Sequence, residues 1–344
     1  MAYTDIDRSS DYFNTVLYTG DGTTSNSITG VGFQPDWIWI KKRNSIASHR
    51  LLDSIRGVQK HLASDNTDAE VTQNSVMSFD TDGFTVGDSA GTNGSSDTFA
   101  SWNWLASNTT ASNTDGSITS TVSANTTSGF SIVSYTGTGA NATVGHGLGS
   151  EAKMVIVKNR DQADAWYIYH ASLGGTKYMS LNSTGSEATN STLWQDTNPT
   201  SSFFYIGTNN VVNTNTENYI VYCFAPKKGF SAMGSYVGNG SSDGSFIYTG
   251  FKPAWIFVKR TDGSGGWHIM DNKRDPINPL GNLLLAESSS GTNTVSSNRF
   301  DLLSNGFKCR DNSGGTNASG GSYIYMCFSE NPFVTSTGIP TTAR

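Results

Sequence analysis

The apolar residues of this chain come in short bursts rather than long stripes. Trp37-Ile38-Trp39-Ile40 is four apolar residues ended abruptly by Lys41-Lys42-Arg43, and the same figure returns as Met154-Val155-Ile156-Val157 before Lys158-Asn159-Arg160 and as Trp255-Ile256-Phe257-Val258 before Lys259-Arg260. Four residues are too few for a helix. Their β-branched and aromatic character predicts a strand buried on both faces. Other landmarks recur around it in the same order. An opening strand runs into a Gly-rich turn at Phe13–Gly22, Phe130–Gly139 and Phe230–Gly240, with Asp21-Gly22 as a hairpin signal. A second strand has a polar end at Asp53, His170 or Asp271, and a third surrounds Phe84, Phe204 or Phe307.

The closing strand is the most regular landmark. Thr98–Trp104, Tyr219–Phe224 and Tyr323–Phe328 each follow a loop of Asn, Gly and Ser that supplies positive-φ positions. In the last copy Tyr323, Tyr325 and Cys327 share one face, and Ile324, Met326 and Phe328 share the other. With both faces apolar, something must cover the second one. That predicts a homo-oligomer, a trimer or another symmetric assembly.

Six to eight short strands per unit, broken by turn residues, predict an all-β chain of three tandem β-sandwich or jelly-roll-like repeats. The boundaries expected are 1–105 for an N-terminal arm plus repeat one, 106–128 for a linker, 129–226 for repeat two, and 227–344 for repeat three with an extended tail. Residues 1–12 read as a docking arm or a frayed end. The linker follows from composition, although Ser117–Val122 has the pattern of an edge strand. A short helical turn is expected at Ser54–His61, and Pro276 and Pro279 exclude helix around them.

Composition sharpens this picture. Apolar residues are only 35% and charged residues 15%, yet aromatics reach 11% and net charge is −6, so the chain reads as ordered strands with many turns rather than disorder. An acidic chain with no basic stripe is not expected to bind nucleic acid. Its apolar runs are far shorter than the ~20 residues of a membrane-spanning helix. The N-terminus lacks the basic and apolar regions of a signal peptide, which predicts synthesis in a cytoplasm.

Candidate chemistry is sparse. Cys223, Cys309 and Cys327 form no metal pattern; Cys223 and Cys327 match Asn103 of unit one and read as buried strand residues, with Cys309–Cys327 pairing left open. His49, His61, His146, His170 and His268 do not converge with other ligands, so neither metal nor cofactor is expected. Asp80-Thr81-Asp82-Gly83 lacks the later acceptors of a calcium loop. Gly263-Ser264-Gly265-Gly266 lacks the strand-to-helix setting of a phosphate loop, and no carboxylate pair of the glycosidase kind repeats. Of the eight tryptophans, seven sit at core periodicity; Trp194 is the one expected to be exposed. The loops before the closing strands, Asn93–Asp97, Asn213–Glu217 with Asn215, and Asn317–Gly321, are the expected recognition edge.

The openings with Tyr18-Thr19-Gly20 and Tyr135-Thr136-Gly137, the Gly-Phe-x-Pro-x-Trp-Ile stretches at Gly32–Ile38 and Gly250–Ile256, Gly116–Asn125, and the ending from Asn331 to Arg344 carry a resemblance. Together they resemble a family of repetitive β proteins encoded by marine tailed bacteriophages, and the likeness covers nearly the whole chain. It implies a virion structural protein without catalytic residues, partnered by other virion proteins, by its own copies and by host surface glycans. A tail fibre of three domains in a row is the leading expectation. A capsid decoration or cement protein is the alternative, and a polysaccharide depolymerase comes third.

Overall fold

A computed structural model describes residues 4–294 and 299–341. The chain is all-β, its only helices being single turns among the described residues. Each unit has one larger antiparallel sheet with the same inner order. In unit one this is Phe13–Thr19, Thr98–Trp104, Trp37–Lys42, Arg50–Asp53; unit two repeats it as Phe130–Thr136, Asn218–Phe224, Met154–Asn159, Tyr167–His170, and unit three as Ser231–Val237, Ser322–Pro332, Phe251–Arg260, Trp267–Asp271. The register repeats as well: Trp37 faces Trp104, Met154 faces Phe224, and Trp255 faces Phe328. A smaller sheet accompanies each, with Ile28, Val144 and Ile247 opposite Phe84, Phe204 and Phe307.

Strand alternation divides the apolar residues between two destinations. Ile38 and Ile40 turn outward and pack with Ile28, Phe84 and Val86 between the sheets of unit one. Units two and three do the same around Val155 and Val157, and around Ile256 and Val258. The opposite faces all meet in one place. Trp37, Trp39, Trp102 and Trp104 join Ile156, Tyr222 and Phe224, and Trp255, Phe257 and Phe328, in a single buried cluster. Ring centroids of Trp37 and Tyr222 lie 4.2 Å apart, those of Trp104 and Trp255 5.7 Å, and those of Phe224 and Phe328 6.1 Å, so every pair of units touches.

The units therefore close around a shared core instead of standing in a row. The second apolar face of each closing strand is covered by the other two units, so the argument that a further copy of the chain must cover it falls away.

Several local expectations change. The segment expected as a linker contains Ala111–Asn113 and Ser120–Asn125, which extend unit two's large sheet. Ser54–His61 is a turn followed by the strand Lys60–His61, paired with Val71–Thr72. The arm docks on unit three of its own chain through Asp5 N–H on the Lys228 carbonyl and a Ser9–Ser329 contact, while its residues 1–3 lie outside the described residues. The tail turns back on itself at a Val334–Pro340 bridge and bonds Asp7 through Ser336; its residues 342–344 also lie outside. All three cysteines are free and buried.

Candidate recognition crown

The loops before the closing strands gather at the end of the molecule where the central strands finish in their cations. Each is tied to the opening turn of its unit by the same three devices.

A tyrosine comes first. Tyr18, Tyr135 and Tyr236 stack on Phe99, Tyr219 and Tyr323 with centroids 5.0, 5.0 and 4.9 Å apart. Their hydroxyls donate to the carbonyls of Thr92, Val212 and Thr316 at 2.7, 2.5 and 2.7 Å. Close backbone approach comes next: a Cβ on Gly20, Gly137 or Gly238 would lie 2.3, 2.1 or 2.4 Å from the carbonyl oxygen of Gly94, Thr214 or Ala318, so only glycine fits there.

An asparagine completes the latch. Asn93, Asn213 and Asn317 are fully buried. Their Oδ1 atoms accept from the backbone N–H of Asp21, Thr138 and Asn239 at 3.0, 2.7 and 2.9 Å. Their amides donate to turn carbonyls, Thr23 at 3.0 Å, Ala140 at 2.6 Å and Ser241 at 2.8 Å. Asn213 also bonds the Gly207 carbonyl and Asn317 that of Asp311.

The expectation that Asn93, Asn213 and Asn317 form an exposed recognition edge is thus corrected: each amide is itself buried and is matched to the N–H and carbonyl groups of the turn above it. Asp97 is half-buried and accepts from Lys42 at 2.6 Å; Glu217 is half-buried and accepts from Asn159 at 2.5 Å. Asn215 is exposed, as expected. The exposed tips of these loops are Ser95-Ser96, Asn215-Thr216 and Ser319-Gly320. Ser96, Thr216 and Gly320 all take left-handed φ, at 62°, 68° and 73°. Trp194 belongs to no surface. It is 2% exposed, in the turn Ser191–Trp194, with its ring edge-on to Tyr169, because that turn packs Leu193 and Trp194 into the core of unit two.

Beneath the crown lie the first of the cations that end the central strands. Lys41, Lys158 and Lys259 are completely buried. Lys41 Nζ donates to the carbonyls of Ala47 and, in unit three, Ser289 at 2.7 and 2.8 Å. Lys158 reaches Thr67 of unit one at 3.1 Å, and Lys259 reaches Thr184 and Gly185 of unit two at 3.2 and 2.8 Å. The links run one to three, two to one and three to two, closing a ring. Backbone bonds trace the same circuit, Glu70 N–H to Arg160, Glu187 to Thr261 and Thr292 to Arg43. Burial pulls each lysine down from 10.5 to about 8. The signal was visible in the sequence, since a lysine closes the apolar run in all three copies.

The polar strand ends Asp53, His170 and Asp271 close the ring at the opposite end. Asp53 holds Arg56 at 2.5 Å and accepts from Tyr222 of unit two at 2.9 Å. Asp271 holds Arg274 at 2.6 Å and accepts from the Trp102 indole of unit one at 3.1 Å. His170 Nε2 bonds the Tyr325 carbonyl of unit three at 3.2 Å, and burial lowers its pKa to about 4. These carboxylates are each committed to an arginine, and among the described residues no three His, Cys, Asp or Glu side chains come together to hold a metal ion. No helix among the described residues is long and apolar enough to cross a membrane.

A comparison with curated proteins finds no match. Residues 8–332 match the model of a family described as a domain of unknown function (DUF7483), a span that takes in all three units. The chain belongs to that family.

Proposed function

We propose that this chain is a non-enzymatic structural protein of a tailed-phage particle, a tail fibre or similar appendage component that meets a host surface glycan through the crown. The observation that carries this reading is the closed ring: the repeated Tyr, Asn and Lys side chains are all engaged in fixing loops and joining units. The exposed tips, rich in hydroxyl and amide groups, face outward together with the opening turns at residues 21–25, 138–141 and 241–243. Such a scaffold, each unit of it read as a sandwich, keeps its shape while tip residues vary. Incubation of the purified chain with host cells tests this. Saturable binding that competes with phage adsorption, with host polysaccharide unchanged in length, is expected. Chain-length loss in the polysaccharide would point to a depolymerase instead.

The threefold repetition within one chain favours a second reading, a decoration or cement protein seated on the capsid. A pseudo-threefold monomer matches a threefold position on a lattice without forming an oligomer of its own. Gold labelling of intact particles separates the readings: label on tails supports the first, label over heads the second. Either reading places the chain on the virion after assembly in a host cytoplasm, among other virion proteins. Further copies of the chain would assemble through surfaces other than the shared core.

A further inference from the structure

The units repeat one plan, so a departure from it marks something that the scaffold does not require. Unit two carries a strap. Ser120–Asn125 pairs along Phe130–Thr136, from Thr121 opposite Ser134 to Asn125 opposite Phe130. The chain before it crosses to the smaller sheet, where Ile118 bridges Val144 in parallel, its N–H bonded to the Thr143 carbonyl at 3.0 Å. Ser120 Oγ donates to the Gly145 carbonyl at 2.9 Å. One extended segment thereby covers the edges of both sheets.

Unit three has the same two edges, Ser231–Val237 and Phe246–Tyr248, and each ends its sheet among the described strands. In unit one a side chain fastens this flank: Asn14 Nδ2 donates to the carbonyls of Gly30 and Val31 at 3.3 and 3.0 Å. The equivalent position in unit three is Ala232, since Asn14 faces Asn103 and Ala232 faces Cys327. Neither edge strand of unit three contains a charge or a proline, the usual blocks to strand addition. Instead Val237, Phe246 and Tyr248 are 60%, 47% and 68% exposed. Register places Phe246 and Tyr248 where unit one has Ser27 and Thr29 and unit two has Thr143 and Gly145. The fold accepts small residues at both positions, so it is not the fold that calls for aromatic ones.

We propose that this flank of unit three is a docking edge for an extended, serine- and threonine-rich segment of another protein, added as a strand in the way residues 117–125 lie on unit two. The strap defines the occupant's chemistry. Its hydroxyl-bearing residues bond the edge carbonyls, and Ile118 and Val122 enter the core of the unit. Main-chain bonds would supply affinity, and the three exposed side chains would grip the added strand.

The test titrates a fluorescent peptide with the sequence of residues 114–126 into the full chain. Saturable binding is expected, weakened roughly tenfold or more by Val237→Lys or Tyr248→Lys and unchanged by Ser27→Lys in unit one. The substituted side chains are exposed, and circular dichroism checks that the fold is kept. Absence of saturable binding at millimolar peptide, or binding indifferent to both lysines, would overturn the proposal. So would a result in which the lysines abolish binding of neutral oligosaccharides, or split a dimer of the chain, while the peptide does not bind.

Discussion

At the scale of single residues, buried polar groups decide where the loops sit. Asn213 makes three bonds to backbone groups inside unit two, and truncation would leave the buried Gly207 carbonyl without this partner and untie the turn at Thr138 and Ala140. Asn213→Ala should cost about 2–4 kcal/mol in urea unfolding, whereas Asn215→Ala at the exposed tip should change stability by less than about 0.5 kcal/mol. Thr216 holds φ at 68°, which a β-branched residue tolerates poorly. Thr216→Gly should therefore stabilise the chain by about 1 kcal/mol in the same measurement. Sequence reading missed the asparagines for a physical reason. A polar residue among Gly and Ser has the composition of an exposed loop, and only the fold shows that turn N–H and carbonyl groups surround it.

The buried ionisable groups give a pH dependence whose sign is fixed. Lys41, Lys158 and Lys259 titrate at about 8 when folded, against 10.5 when free. Between those values the unfolded chain holds protons that the folded chain has released, so stability rises with pH from 8 toward 10.5. His170 and His268 are pulled by burial from 6.5 to about 4 and about 3. Below 6.5 the unfolded histidines take up protons first, and stability falls as pH drops from 6.5 toward 4. Urea midpoints measured across pH 4–10 should climb in both windows; a flat profile in either would contradict the burial of those groups.

Among elements, the repeated strands were legible and their partners were not. The short apolar bursts at Trp37, Met154 and Trp255 marked the central strands, and the closing strands at Thr98, Asn218 and Ser322 followed from alternation. The strap was only half legible: Ser117–Val122 has the pattern of an edge strand, but Ala106–Ser128 is mostly small polar residues with the composition of a linker, and the Phe130–Thr136 edge against which it lies cannot be read from that composition. Val122, 6% exposed, enters the core of unit two from this segment. Val122→Asp should destabilise by about 3 kcal/mol or more, measured by urea unfolding, whereas a true linker would tolerate it.

For the molecule as a whole, the repeated pattern was legible, but further copies of the chain were expected to cover the second apolar faces, and the units of one chain cover them instead. Two answers satisfied that pattern, separate units covered by other chains or three units covering one another. Alternation along a strand says which residues share a face and nothing about which unit lies opposite it. The Trp37–Tyr222, Trp104–Trp255 and Phe224–Phe328 contacts settle the matter within the chain. The lysine ring follows from the same closure, since unit three brings the Ser289 carbonyl to the buried Lys41 beside the Ala47 carbonyl of its own unit.

Scanning calorimetry of the intact chain tests that closure most directly. Three units that share one aromatic core should unfold together, in a single transition with a calorimetric to van't Hoff enthalpy ratio of about one. Separate transitions, or a ratio of about three, would mean units that fold alone and would contradict the shared core.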